Sequence, residues 1–426
     1  MRSRSVRRRA YGAVALALAG TLAACNVEPT AHDECHAKLS AAPGCPAAAL
    51  VVMSDYLSTQ IALTTPAGDT LCGSYFSTAR AEATPVAFAL SGDVVLPSAR
   101  PASGRAVVID RYGTNVVSFL AADTGALLGQ LAVGTGFESN PQDYLEIDER
   151  RALVSRWGEN PVPGQKTFDE GGDLLVIDTV GLAIERRLAL PHDDFPPRPG
   201  GITRVGDGAI VTLQRMSIDI RSMGDGRLVG IALDSLDIAW TLALDGLKNC
   251  GALTVSPDTT VGAVACTGYV DRSGVAANLE DSGIVLLDLT QTPPVEIRRL
   301  SAEALAGAPL QAELEWFAPR RLLAKTQTAL DGDANNRLLM VTVDADAAED
   351  AAEVLLEARP NGSGTGQGVV FGGMLCTPGC DATCLVTDAD RGVLERFTID
   401  GDTLTPLGPL GIRGTVGLPP RDVGGL

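Results

Sequence analysis

The chain has 426 residues, 34 basic and 52 acidic side chains, a net charge of −18 at pH 7, and only 4% aromatics. That acid excess excludes the basic stripe needed to hold a phosphate backbone, so nucleic acid is not an expected partner. The length allows two domains or one large repeat fold.

The first nine residues, MRSRSVRRR, carry five arginines and no acid. An apolar run of about 15 residues follows, shorter than the roughly 20 that cross a bilayer as a helix. A charged start followed by a short apolar run is the pattern of a secretory signal. Leu22-Ala23-Ala24-Cys25 resembles the lipobox of bacterial lipoproteins. The resemblance implies cleavage before Cys25, a diacylglycerol on its thiol, and a lipid anchor in the membrane of the cell envelope. Asn26 stands where an Asp would retain such a lipoprotein in the inner membrane, which implies the outer membrane of a Gram-negative bacterium. Residues 1–24 are thus read as signal peptide, 25–46 as lipidated cysteine and polar tether, and 47–426 as the folded body. Loss of the signal removes five positive charges and leaves a net charge of −23.

Along the body, an apolar run, a turn rich in Asp, Thr or Gly, and a second apolar run recur. The stretches begin at QIALTTPAGDTL and NVVSFLAADTGALLGQLAV and end at GVLERFTIDGDTLTPL. Their first apolar residues are Ile61, Val116, Leu174, Leu228, Ile284, Leu338 and Val393, at steps of 54 to 58 residues. Each reads as a β-hairpin. A second hairpin precedes several of them, as in DYLEIDERRALVSRW and GALTVSPDTTVGAVACTG. Two hairpins make four strands, a to d, the unit of a β-propeller blade. The b and c runs are apolar at nearly every position, as strands buried on both faces must be. The body opens with AALVVMSDYL, a b strand lacking an a strand. It ends with RGTVGLPPRDVGGL, an a strand lacking a b strand. The expected fold is therefore all-β: a seven-bladed β-propeller closed by the C-terminal strand joining the N-terminal blade. Strand d of blade 1 is expected between Thr70 and Leu90.

RAVVIDRYGTNVVSFLAADTGALLGQLAVG, and GGDLLVIDT followed by IERRLAL, resemble the YVTN-type repeats of bacterial surface and periplasmic propellers. The tetrad that names those repeats is replaced here by VVIDRYGTN and LVSRWGEN. With strand order a-b-c-d, the b–c and d–a loops share one face, and most long loops belong to it. Binding residues concentrate on long loops carried by a rigid scaffold. This face is the candidate binding face, with His192, Asp193, Asp194, Asp169 and Glu170 as its candidate residues.

Asp331, Asp333 and Asn335 in DGDANN begin like a calcium loop and are the candidate Ca2+ ligands. The pattern then breaks, with Asn336 where Gly is expected and Thr342 where Glu is expected. No other cofactor is expected. HDECH, from His32 to His36, lacks the Glu and the helix of a zinc-protease motif. There is no nucleophile elbow. Eight cysteines besides Cys25 read as disulfides in an exported chain. Cys250 and Cys266 bracket a hairpin and face each other. Cys376, Cys380 and Cys384 cannot all pair internally, so one reaches elsewhere, with Cys72 as its candidate partner. Cys35 and Cys45 are expected to pair and stiffen the tether. With no complete catalytic set, the expected function is a membrane-anchored binding scaffold for a protein or glycan of the envelope. The alternatives are a lactonase-like propeller hydrolase or a redox-partner subunit working at the channel mouth.

Overall fold

In the computed structural model, the described residues run from Cys35 to Leu426, less residues 36, 79–86, 270–278, 327–335, 345–350, 359–368 and 413–416. Cys25 and the calcium candidates Asp331, Asp333 and Asn335 fall outside them. No helix among the described residues is long and apolar enough to cross a membrane.

Seven antiparallel sheets form the blades of a propeller. All seven apolar start positions fall in c strands, from Thr59–Thr64 in blade 1 to Val393–Asp400 in blade 7. The inner a strands of blades 2 to 7 are Val94–Val95, Pro141–Glu146, Pro199–Val205, Cys250–Val255, Leu310–Ala318 and Phe371–Cys376. Blade 1 takes its a strand from the end of the chain: Pro420–Gly425 pairs antiparallel with the b strand Ala49–Ser54. Strand d of blade 1 is Thr70–Ser77. Blade 7 carries an extra short strand, Leu410–Gly411, on its c strand.

The apolar b and c runs are explained by two-sided burial. In the first b strand, Leu50 and Val52 enter one hydrophobic cluster with Val94 and Val108 of blade 2. The alternate residues Ala49, Val51 and Met53 enter another with Leu385 and Leu394 of blade 7. Side chains alternate across a strand, so a strand between two neighbouring blades has no solvent face. Seven such clusters fill the seven blade interfaces. The ring is sealed further by Ala47 N–H donating to Leu426 O (2.7 Å) and Leu426 N–H donating to Ala48 O (2.9 Å).

Among the described residues there are three disulfides, Cys250–Cys266, Cys376–Cys384 and Cys45–Cys380. The first is the expected hairpin pair. The third corrects two expectations. Cys380, not joined to Cys72, reaches Cys45, and Cys45 is therefore not bonded to Cys35. Residues from Cys35 onward belong to the same compact unit as the blades. Ala37 N–H bonds Asp123 O in the c–d turn of blade 2 (3.0 Å). Cys45 lies against the a–b turn of blade 7, with Cα–Cα 5.7 Å to Cys380. Cys35 is buried in the core shared by blades 1 and 2, and Cys72 packs against the same core.

Candidate functional site

The a strands converge on a central channel, a cavity of about 850 Å³. Each pairs within its blade along one edge only, which leaves N–H groups facing the channel and the next blade. Carboxylates meet several of them. Asp143 of blade 3 accepts from Ser98 N (2.9 Å), the Ser98 hydroxyl (2.5 Å) and Ile202 N (2.7 Å), and so ties three blades together. Asp422 of blade 1 accepts from Leu96 N of blade 2 (2.9 Å). Glu313 and Glu315 of blade 6 accept from Met374 N and Cys376 N of blade 7, both at 3.0 Å. Glycines let the inner strands approach. A Cβ on Gly251 would lie 2.0 Å from Ala312 O, and one on Gly372 would lie 2.1 Å from Arg421 O.

Burial shifts these acids. It pushes Glu315 up to about 8, with the neighbouring Glu313 charge adding to the effect. It raises Asp422 to about 6, again with a contribution from Glu313. Asp143 is raised by the same desolvation, opposed by the hydrogen bonds from Ser98 and Ile202. Beside them Lys325, only 1% exposed, donates to Glu313 and to Gly372 O.

The two mouths of the channel differ. On the b–c and d–a face it is ringed by Tyr56, Asp93, Arg111, Gln142, Gln214, Gln311 and Arg421. Arg111 pairs with Asp93 (2.5 Å) and donates to Gln142 Oε1 (3.3 Å). Gln214 accepts from Trp157 Nε1 (2.7 Å). Arg421 donates to Ser54 O (3.1 Å) and lies 4.8 Å over the Tyr56 ring. At the opposite mouth, Gly44 and Pro46 line the channel. Arg100 donates there to Gly44 O (3.2 Å) and to Cys45 O.

The structure does not bring the sequence-derived face residues to the channel; none of the five lines it. His192 is exposed and lies 3.4 Å from Glu159. Asp193 is clamped by Arg215 (2.6 Å) and Arg227 (2.7 Å), and these hydrogen bonds hold its carboxyl well below the usual range. Asp169 accepts three loop N–H groups, from Gly164, Gln165 and Lys166, which lowers it. Glu170 pairs with Arg187 (3.3 Å), and Asp194 is exposed. These contacts shape the loops of blades 3 and 4. The hydrolase alternative required these groups to meet at the channel mouth, and they do not. The channel residues were missed because they come from all seven blades and carry no local motif. One signal was available: polar residues in the second half of otherwise apolar hairpins, as in LAKTQT and PPRDVGG.

The fold and its polar channel define a seven-bladed β-propeller with a ligand-sized axial cavity. No family model matches the sequence, and no curated protein matches it. Among solved structures, a putative 6-phosphogluconolactonase from Bacteroides fragilis is similar at 12% identity and TM-score 0.52, covering 89% of this chain and 97% of that one. A putative 6-phosphogluconolactonase from Bacteroides uniformis is similar at 12% identity and TM-score 0.53, covering 89% and 99%. Hydrazine synthase from Kuenenia stuttgartiensis is similar at 13% identity and TM-score 0.50, covering 75% and 80%. Likeness at these identities is a likeness of fold, and one fold hosts many functions.

Proposed function

We propose that this is an envelope binding propeller, lipid-anchored through Cys25 in the outer membrane, that docks a protein or glycan on its b–c and d–a face. The observation that carries the reading is where apolar side chains reach solvent. Leu57 (85% exposed), Tyr112 (65%), Val162 (64%) and Ile218 (66%) all sit in b–c loops of blades 1 to 4. Phe88, Tyr56 and Ile220 join them on the same face. Among the described residues, the a–b and c–d loops carry only Val180. Exposed apolar groups gathered on one face mark an interaction surface. The chain enters the body at the opposite face, beside Asp123 and Cys380. Ca2+ on Asp331, Asp333 and Asn335, which lie outside the described residues, is part of the same proposal.

The test is cross-linking in intact cells, comparing the native chain with a variant carrying Leu57→Ser, Tyr112→Ser and Ile218→Ser. Adducts that vanish in the triple variant support the reading. An unchanged adduct pattern, or none from either protein, refutes it. A globomycin-sensitive shift in size and loss of membrane association in Cys25→Ala test the anchor.

A second reading, a lactonase-like hydrolase, is favoured by one observation. Two channel carboxyls, Glu315 and Asp422, are held at about 8 and about 6, where they can exchange protons near neutral pH. Hydrolysis of sugar lactones that is lost in Glu315→Gln would establish it; no turnover above background would dismiss it.

A further inference from the structure

We propose that the groove across the ends of blades 3 to 5, on the a–b and c–d face, is a saccharide site that takes a run of neutral sugar rings along Trp240. This inference does not rest on the docking reading, which concerns the opposite face.

The groove has a volume of about 970 Å³ and is lined by the a–b turns of blades 3, 4 and 5 and the c–d turns of blades 4 and 5. That volume is at the upper end of the about 300–1,000 Å³ of ligand pockets, and a reach over three blades suits a chain better than a single ring. Trp240 stands on the d strand of blade 4, Asp237–Leu244, directly opposite Gly230 on the c strand, Gly226–Ala232. A Cβ on Gly230 would lie 2.1 Å from the indole Cε2, so only glycine lets the ring lie down on the neighbouring strand. The indole is thereby half-buried, and it lines the groove. Val255 and Leu289 pack against the same core as Trp240 and line the groove with it. The floor is therefore apolar, and its aromatic ring is held in place before any ligand arrives, which lowers the ordering cost of binding.

The rim selects the charge of the ligand. Two guanidiniums line the groove, and both are engaged: Arg151 pairs with Asp148 at 2.8 Å, and Arg204 donates to Glu146 O and Ile147 O. Two further carboxylates, Asp207 and Asp234, are exposed on the rim and pair with no cation among the described residues. An anion entering the groove would meet these carboxylates, and a cation would meet the two guanidiniums. A neutral polyol meets neither repulsion. Its hydroxyls can donate to Asp207 and Asp234, and such charge-assisted bonds are stronger than neutral ones. Thr259, Gln291 and Thr292 add exposed hydroxyl and amide groups around the same floor. The C–H face of a sugar ring covers the indole and the aliphatic floor, which takes apolar area of both partners out of water. A wholly apolar ligand would strip water from the rim without replacing its hydrogen bonds.

The experiment is isothermal titration of the folded chain with maltohexaose and, separately, with chitohexaose, with glucose, hexagalacturonate and choline as comparison ligands. Saturable binding of a neutral hexamer is expected, tighter than that of glucose. Trp240→Ala should weaken it by about tenfold or more, because a fixed aromatic ring supplies the central contact. Asp207→Asn together with Asp234→Asn should weaken it severalfold. The variant carrying Leu57→Ser, Tyr112→Ser and Ile218→Ser should bind the sugar as the native chain does, which separates failure of the docking reading from failure of this one. Trp240→Ala is checked by circular dichroism; if it does not fold, the exposed pair Asp207→Asn with Asp234→Asn decides alone. No saturable binding of either neutral hexamer, tighter binding of hexagalacturonate or choline, or no gain from glucose to a hexamer would each overturn the proposal. So would unaltered binding in a folded groove variant, or loss of binding in the Leu57, Tyr112 and Ile218 variant.

Discussion

The Cys45–Cys380 disulfide ties residues 335 positions apart, and its removal should lower stability more than loss of either short bridge. In the chain-entropy treatment the effect grows with the logarithm of the loop, so this bridge contributes about 6 kcal/mol. The Cys376–Cys384 bridge, with a separation of 8, contributes about 2.5 kcal/mol by the same relation. A body of about 390 residues unfolds with an entropy of about 0.8 kcal/mol per kelvin. The two values then become a drop in melting temperature of about 7 °C for Cys45→Ser with Cys380→Ser, and about 3 °C for Cys376→Ser with Cys384→Ser. Differential scanning calorimetry of both double variants at one scan rate measures them side by side. In this treatment the effect resides in the unfolded chain. Equal losses for the two variants, or a Cys45/Cys380 loss under about 2 °C, would refute the entropic account and place the stabilisation in local packing.

Arg156 and Asp173 form an ion pair at 2.7 Å with both side chains fully buried, and Asp173 also accepts from Arg187 (2.5 Å), so Arg156→Ala removes two buried charge-assisted bonds but leaves the carboxylate one cationic partner, and should cost about 1–3 kcal/mol, read by urea denaturation. Gly251→Ala should give insoluble protein or a melting temperature many degrees lower, since its Cβ would lie 2.0 Å from Ala312 O; a native-like melt would show that blades 5 and 6 can separate. Glu315 is raised from 4.5 to about 8 in the fold, so the folded state holds more protons than the unfolded one across that window. Stability should therefore fall as pH rises from about 4.5 to about 8. Glu315→Gln keeps an acceptor for Cys376 N and should flatten that slope in melts at pH 5, 6.5 and 8.

By itself the sequence determined the ring. Spacing of hairpins near 55 residues, apolar runs without alternation, and complementary half-blades at the two ends specify seven units that can hide their faces only by stacking and closing. These are local and periodic signals, because each blade repeats the same burial problem. The Cys250–Cys266 pair was legible for the same reason, since its hairpin is symmetric about Pro257-Asp258. Tertiary structure alone decided what the ring encloses. Arg421, Asp93, Arg111 and Glu313 are separated by up to hundreds of residues and become neighbours of one channel only when inner strands from different blades converge. His192, Asp193 and Asp169 looked chemical in sequence, but loop hydrogen bonds and arginine clamps occupy Asp193 and Asp169, and His192 lies in solvent beside Glu159. The partner of Cys45 was likewise invisible, because a disulfide between the first and last blades depends on where closure brings the ends, and closure is a property of the whole torus.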